Sequence, residues 1–210
     1  MMTKTKIALA TWNRREHFEF FSQMEEPFYG MTSRVDCTKA YENAKALGIS
    51  FFIYYLHKTL AAVNACEPFR WRIIDKEPWC FDRIDASATI MRKDETFGFS
   101  WMEYHPDIRV FEKKAQAEID RIQGTTGLLT RSFPDENLIH FSSIPWVDFE
   151  GLSHARGFRY PDSCPKISFG KMTEKEGCKT MPVAVHVHHG LVDGIHVGRF
   201  LDTLQALLNG

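Results

Sequence analysis

Hydrophobic positions recur with a helical period near both ends of the chain and alternate as in strands through its middle. Helical spacing predicts five helices, over residues 14–24, 38–47, 51–65, 107 or 108 to 123, and 195–208. Thr38 is a candidate N-cap for the second helix, and Gly48 a candidate terminator. Ser50 is a candidate N-cap for the third, whose hydrophobicity on all sides predicts burial.

Short β-branched and aromatic stretches between turn residues predict strands. They cover residues 32–36, 70–75, 78–82, 86–91, 96–102, 137–142, 166–171 and 182–188. This order lacks the regular βαβ alternation of a doubly wound fold. It favours an α+β fold, a two-layer sandwich in which helices pack on one face of a large mixed sheet. With no internal repeat or linker, residues 1–210 are predicted to form a single domain.

Composition removes several classes of function. Basic and acidic residues number 26 and 27, so the chain offers no strong field to nucleic acid or to an anionic membrane. No apolar run is long enough to span a bilayer. Five scattered cysteines without a C-x-x-C pair indicate reduced thiols and a cytoplasmic protein.

Residues 183–200 contain the strongest candidate chemistry. A strand rich in valine leads into His189, and Asp193-Gly194 follow four and five residues later. A histidine delivered to a turn beside a carboxylate can act as a general base on a hydroxyl. His186 and His188 share the strand face opposite the valines, and an ordinary half-buried position is the simpler interpretation for both. A metal site at these histidines is an alternative, although further ligands are not evident nearby.

Three segments follow one another along the chain: Trp12-x-Arg14-Arg15-Glu16-His17-Phe18-Glu19, Ser142-x-x-Pro145-Trp146-Val147 and His188-His189-x-x-x-Asp193-Gly194-x-His196-Val197-x-Arg199. In this order they resemble the chloramphenicol acetyltransferase family, and the last also resembles the catalytic domains of dihydrolipoyl acyltransferases. Together they span most of the chain. The resemblance implies an acetyl-CoA-dependent O-acetyltransferase that needs no bound cofactor or metal.

The resemblance also implies roles for single residues. His189 would be the general base, and Ser142 would donate a hydrogen bond to the oxyanion of the tetrahedral intermediate. Asp193 and Arg14 would form a structural pair rather than part of a catalytic triad, and a backbone carbonyl would set the tautomer of His189. Two further side chains would serve the cofactor side, Ser168 by holding a water and Lys171 by approaching a coenzyme A phosphate.

Phe20, Phe21, Phe97 and His140 match acceptor-pocket positions. Phe21 stands where some members have Tyr, His140 where Asn is common, and residues 124–135 differ in length. These differences bear on the acceptor, which is chloramphenicol or a similar small apolar alcohol. The family forms homotrimers with active sites between subunits, so His189 would face Phe20, Phe21, Ser142 and Ser168 of the next protomer.

Three alternatives remain open at this point: the same mechanism with another acceptor, a catalytically inactive trimeric relative, and the core of a dehydrogenase complex. The missing lipoyl domain and linker disfavour the last.

Overall fold

The computed structural model describes residues 3–133, 136–157 and 162–210. Its helices are α1 (Arg15–Phe21), α2 (Thr38–Leu47), α3 (Phe51–Ala65), α4 (Ile108–Gln123) and α5 (Gly194–Asn209), with short 3-10 turns at Leu9–Thr11 and Glu67–Arg70. Its strands are β1 (Lys4–Lys6), β2 (Phe28–Asp36), β3 (Trp71–Ile74), β4 (Glu77–Phe81), β5 (Asp85–Met91), β6 (Phe97–Phe99), β7 (Leu138–Ser143), β8 (Lys166–Phe169), β9 (Thr173–Lys175) and β10 (Cys178–His188).

The strands form two sheets. The larger follows the order β2-β10-β8-β7-β5-β6, with β9 paired to β10, and the smaller follows β1-β4-β3. In the larger sheet β7 is parallel to both β5 and β8, and the other pairs are antiparallel. The sheet is therefore mixed, as the order of elements predicted.

One face of the larger sheet carries the hydrophobic core. Val183, Val185 and Val187 of β10 alternate with an alanine and two histidines and are at most 1 % exposed. They join one connected core with buried residues of α3 and α5. Strand alternation thus directs a valine row towards the helices. The α+β sandwich with helices on one face is confirmed.

Helix α3 is buried along most of its length, with nine buried residues among 15. This burial explains why its sequence lacks a polar side. Among the helices of the described ranges, none alone is long and apolar enough to cross a membrane. The pair α2–α3 passes that test only jointly, across a bend of 117°.

The opposite face of the larger sheet is polar, and its residues are in register. Ser87, His140, Lys166 and His186 pair successively across β5, β7, β8 and β10. The next row on the same face contains Ser142, Ser168 and Ala184. We call this the polar face. Part of it is covered by the segment 144–157, where the carbonyl of Leu152 lies 2.9 Å from Nε2 of His186.

Several predicted boundaries are wrong. Helix α1 ends at Phe21 instead of residue 24, because Met24 is exposed and contributes no burial, and Pro27 follows shortly. The N-cap of α2 is Cys37, while the Thr38 hydroxyl accepts a hydrogen bond from the Lys179 amide. Strand β2 begins four residues before the prediction, because it pairs with β10 along its full length.

The predicted strands 70–75 and 78–82 exist, but as β3 and β4 they lie in the smaller sheet. Alternation within a strand does not determine which partner the strand pairs with. Strands β1 and β9, of three residues each, were not predicted, because segments so short show little periodicity. Strand β6 also shortens to Phe97–Phe99, with only an isolated bridge at Met102.

Candidate active site

His189 lies immediately after β10, at the turn before α5. Its amide donates a 2.8 Å hydrogen bond to the carbonyl of Pro27, just before β2. The turn continues with the amides of Leu191 and Val192 donating to the carbonyl of His188. The backbone of His189 is therefore anchored on both sides, and its side chain is about one-third exposed.

Arg14 and Asp193 form an ion pair beside His189. Both guanidinium Nη atoms donate to the carboxylate, and Nη2 also donates to the carbonyl oxygen of His189 at 3.1 Å. The Arg14 side chain is 8 % exposed and that of Asp193 is 27 % exposed. The hydrogen bond from Arg14 holds the pKa of Asp193 below its usual value. The pair therefore joins the N-terminus of α1 to the start of α5 and also touches the backbone of the candidate base.

Two aromatic rings pack against the imidazole of His189. Phe21 is stacked on it with centroids 3.9 Å apart and planes 11° apart, and Tyr29 lies at 4.5 Å. Both rings belong to the same chain as His189. The prediction that His189 faces Phe21 of the next protomer is therefore wrong for this residue, because α1 returns to the end of β10 within one chain.

Tyr29 was missed because the predicted strand began three residues after it. Its hydroxyl is buried and makes no hydrogen bond among the described residues. Burial, reinforced by the charge of Asp193, raises its pKa to about 12. Tyr29 is therefore neutral at ordinary pH. A strand boundary set four residues earlier would have placed it opposite Val187, next to His189.

The Nδ1 atom of His189 lies 3.1 Å from Oδ1 of Asp193. The angle there does not permit a hydrogen bond, and Nδ1 has no other partner within the described ranges. The geometry thus differs from a Ser-His-Asp triad, in which the carboxylate accepts the imidazole N–H. It also shows no carbonyl bonded to Nδ1, so tautomer control by the backbone stays a prediction.

His186 and His188 have structural partners. Nδ1 of His188 accepts a hydrogen bond from the Gly190 amide, and burial lowers the pKa of His188 to about 4. Burial also lowers the pKa of His186. Its ring fills the space above Gly30, where a Cβ would lie 2.4 Å from Nε2. Within the described residues, no group of three or more His, Cys, Asp or Glu side chains is arranged to hold a metal ion.

Ser142 and Ser168 are register partners on the polar face. Ser168 is fully buried, and its hydroxyl has no hydrogen-bond partner among the described residues. A buried hydroxyl of this kind is costly unless a water or a ligand satisfies it. The pair thus offers two hydroxyls side by side, as expected if one binds an oxyanion and the other a water.

The serines and His189 are far apart within one chain. Ser168 pairs with Ala184, five residues before His189 along β10. At about 3.3 Å per residue this is a distance of about 16 Å, and Ser142 is one strand further. His189 and the two serines also lie on different faces of the sheet. Tyr29, against which His189 packs, pairs with Val187 and shares the core face, whereas Ser142 and Ser168 lie on the polar face. One chain therefore does not bring the candidate base and the candidate oxyanion donor together.

A pocket of about 380 Å³ opens beside His140. Its other lining residues include Ser87, Phe99, Leu129, Leu138 and Cys164. Phe20, Phe21 and Phe97 are not among the lining residues; Phe20 and Phe97 are exposed, at 62 % and 44 %. Of the four predicted acceptor residues, the structure thus places only His140 in this pocket.

Phe99, two residues beyond Phe97, lines the pocket instead. Lys171 is exposed just beyond β8, with its amide bonded to the Val147 carbonyl. The last two residues of the variable segment 124–135 lie outside the described ranges.

Comparison with known proteins shows that the resemblance to the chloramphenicol acetyltransferase family extends over nearly the whole chain. The sequence profile of the chloramphenicol acetyltransferase family matches residues 2–205. A chloramphenicol acetyltransferase of Campylobacter coli is 33 % identical over 99 % of this chain and 100 % of its own length. Chloramphenicol acetyltransferase 2 of Escherichia coli is 31 % identical, covering 98 % of this chain and 97 % of its own.

Solved structures agree. A chloramphenicol acetyltransferase superposes with a TM-score of 0.87 and 30 % identity, over 98 % of this chain and 100 % of the other. A probable dihydrolipoamide acetyltransferase of Listeria monocytogenes, at a TM-score of 0.65 and 13 % identity over 97 % and 94 %, shares the fold. From its profile match, its full-length relatives and its fold, the chain belongs to the chloramphenicol acetyltransferase family and is an acyltransferase.

Proposed function

We propose that this protein transfers an acetyl group from acetyl-CoA to a hydroxyl of chloramphenicol or of a similar small apolar alcohol. All 210 residues form one acyltransferase domain in this proposal. Family membership supports the reaction, since the relatives at 33 % and 31 % identity are chloramphenicol acetyltransferases and match this chain over 97 % or more of their own length. The His189 neighbourhood supports the choice of base, because its backbone is anchored and its ring contacts two aromatic side chains.

The chemical step needs one base and one oxyanion donor. Nε2 of His189 takes the proton of the acceptor hydroxyl as its oxygen attacks the thioester carbonyl. The Ser142 hydroxyl stabilises the resulting oxyanion, and the Ser168 hydroxyl holds a water beside it. The carbon–sulfur bond then breaks, and the coenzyme A thiolate leaves with the proton carried by His189. Lys171 approaches the phosphates of coenzyme A.

The observation that carries the proposal is the separation of His189 from Ser142. If both act on one acetyl group, the site must combine His189 of one chain with Ser142 and Ser168 of another. A closed assembly in which every chain gives one side and receives the other satisfies this requirement. The family resemblance implies three chains, and we propose a homotrimer with three such sites. Exposed apolar side chains, among them Phe20, Trp146 and Ile195, are available for these contacts.

The acceptor pocket determines how well chloramphenicol is used. Phe21 lacks the hydroxyl that Tyr supplies in some members of the family. His140 places a titratable side chain where an amide is common, at the mouth of the pocket. These differences affect acceptor binding more than acyl transfer, so chloramphenicol is expected to be acetylated with a raised KM.

Thiol release from acetyl-CoA tests the proposal directly. The purified protein is mixed with acetyl-CoA and with chloramphenicol or one of a panel of small alcohols and amines. Release that depends on both substrates, together with an acetylated alcohol identified by mass spectrometry, supports the proposal. No release with any alcohol, despite a folded trimer, would instead identify an inactive relative. Brisk thiol release with another alcohol, and none with chloramphenicol, would identify that alcohol as the acceptor instead.

A further inference from the structure

The pocket beside His140 contains a nucleophilic side chain that the proposed reaction does not use. Cys164 lies just before β8 and borders the pocket, so that its side chain is only partly buried. His140 is paired in register with Lys166, two residues after Cys164. His140 and Cys164 both line the pocket, and the interaction of each with the other shifts both pKa values. The imidazole and the thiol are therefore neighbours at the pocket wall.

A third group, the guanidinium of Arg72, completes the cluster. The thiol of Cys164 donates a hydrogen bond to the carbonyl oxygen of Leu138 at 2.8 Å, and Nη2 of Arg72 donates to the same oxygen at 2.6 Å. Arg72 is 1 % exposed, and within the described residues its guanidinium donates to backbone carbonyls. A buried positive charge thus stands one carbonyl away from the thiol.

The charges around the thiol favour its anionic form. Burial raises the pKa of Cys164, but His140 and Arg72 outweigh burial and lower it, while Asp162 opposes them. Asp162 is itself neutralised by Lys166, whose Nζ lies 2.5 Å from its carboxylate. Cys164 in turn raises the pKa of His140, although burial opposes this. By contrast, burial raises the pKa of three other thiols: Cys37 to about 12, and those of Cys66 and Cys80.

We propose that Cys164 and His140 form a reactive thiol–imidazole pair, and that the pocket takes small uncharged electrophiles of the α-haloamide class. Apolar side chains such as Phe99 and Leu129 on the pocket wall favour an uncharged ligand. The thiol proton passes to His140, and Sγ attacks the carbon that bears the halogen. A carbon–sulfur bond forms, the carbon–halogen bond breaks, and the halide leaves with the electron pair. Occupation of the pocket then blocks the acceptor, a consequence that rests on the proposed function.

Timed labelling with iodoacetamide tests the pair independently of acetyl transfer. The protein is labelled at about pH 6.5 and about pH 8.5, quenched and analysed by peptide mass spectrometry, with the exposed Cys178 as internal reference. Because the thiolate is the nucleophile, Cys164 is expected to react at least ~10-fold faster than Cys178 at the lower pH. His140→Gln should abolish this advantage, whereas His17→Gln, at an exposed position on α1, should preserve it.

Slower labelling of Cys164 than of Cys178 at the lower pH would overturn the proposal, as would an unchanged rate in His140→Gln. A circular dichroism spectrum matching the parent guards against misfolding of that variant. In Cys164→Ser the fast-reacting site should disappear while the slower ones remain. Loss of acetyl transfer on labelling of the parent, but not of Cys164→Ser, supports blockage of the acceptor. Labelling without any effect on transfer would retain the pair and reject only that consequence.

Discussion

The neighbourhood of His189 and the serine row on the polar face contrast in how far one chain completes them. Around His189 the chain provides a backbone anchor, an ion pair and two packed aromatic rings. On the polar face, Ser168 is buried with its hydroxyl unpartnered within the described ranges. The first region is preorganised by contacts within the chain. The second contains a buried hydroxyl, that of Ser168, which has no hydrogen-bond partner among the described residues.

This difference indicates how the site is divided. A general base must hold one orientation, and packing within one chain is the most direct way to fix it. A hydroxyl that serves a ligand or its water is unsatisfied until the ligand arrives, and Ser168, which holds a water in the proposed reaction, is in this state within the described residues. About 16 Å of β10 separates the two regions, so neither region of one chain is sufficient for the proposed reaction.

The largest expected effects come from removing either the proposed base or the proposed oxyanion donor. His189→Ala should lower kcat at least ~100-fold, the loss of a general base, and Ser142→Ala by about 100-fold, the loss of one oxyanion donor. Steady-state kinetics with acetyl-CoA and a turned-over alcohol measure both. His17→Ala is the matched control and should keep parental kcat. Near-normal turnover by His189→Ala would remove His189 from the role of base.

Mixing the two inactive variants tests whether the regions combine between chains. Co-expressed His189→Ala and Ser142→Ala chains should assemble at random, and a site needs His189 from one neighbour and Ser142 from the other. About one quarter of the sites then contain both, so activity should recover to roughly a quarter of the parental value. Light scattering should give three chains per particle. If the mixture stays as inactive as its components, each site lies within one chain and the trimer model fails.

Breaking the ion pair should affect stability as well as activity. Arg14→Ala or Asp193→Ala leaves a partly buried charge unpaired, which costs about 3 kcal/mol, the lower end for such pairs because Asp193 is 27 % exposed. Thermal melting measures this loss, and the Arg15→Ala substitution at an exposed pair is the control. Loss of kcat with unchanged melting would instead indicate a direct role for Asp193 in catalysis.

The same pair has a defined pH dependence. The pKa of Asp193 is lower in the folded protein than its usual 3.8, so its stabilising contribution is present above about pH 4. It is lost as the pH falls through the folded-state pKa. The difference in melting temperature between the parent and Asp193→Asn should therefore be full at neutral pH and shrink in acid. A difference that grows in acid would contradict the assignment.

The smallest effect concerns the aromatic ring on His189. Phe21→Tyr adds a hydroxyl beside the base, and one neutral hydrogen bond to the acceptor contributes about 0.5–1.5 kcal/mol. The KM for chloramphenicol should fall several-fold, with little change in kcat. A fall in kcat instead would show that stacking on His189, and not acceptor binding, is the function of Phe21.

Local sequence predicted the structure correctly where the hydrophobic pattern of a segment agrees with its burial. The core-facing valines of β10, the fully buried helix α3 and the β10–α5 boundary were all predictable from periodicity. The family was recognisable from three short segments, and the comparisons confirm both the family and the acyltransferase class. Arg14 and Asp193 were predicted to pair only through that resemblance, because 179 positions separate them.

What the sequence by itself determined is therefore the helices, the longer strands, the fold class and the family. Tertiary structure decided which of them meet. It placed β3 and β4 in a separate sheet, packed Phe21 and Tyr29 on His189, and brought Cys164 beside His140. The physical reason is that periodicity records only whether a side chain is buried, whereas strand pairing and helix packing join positions far apart in sequence.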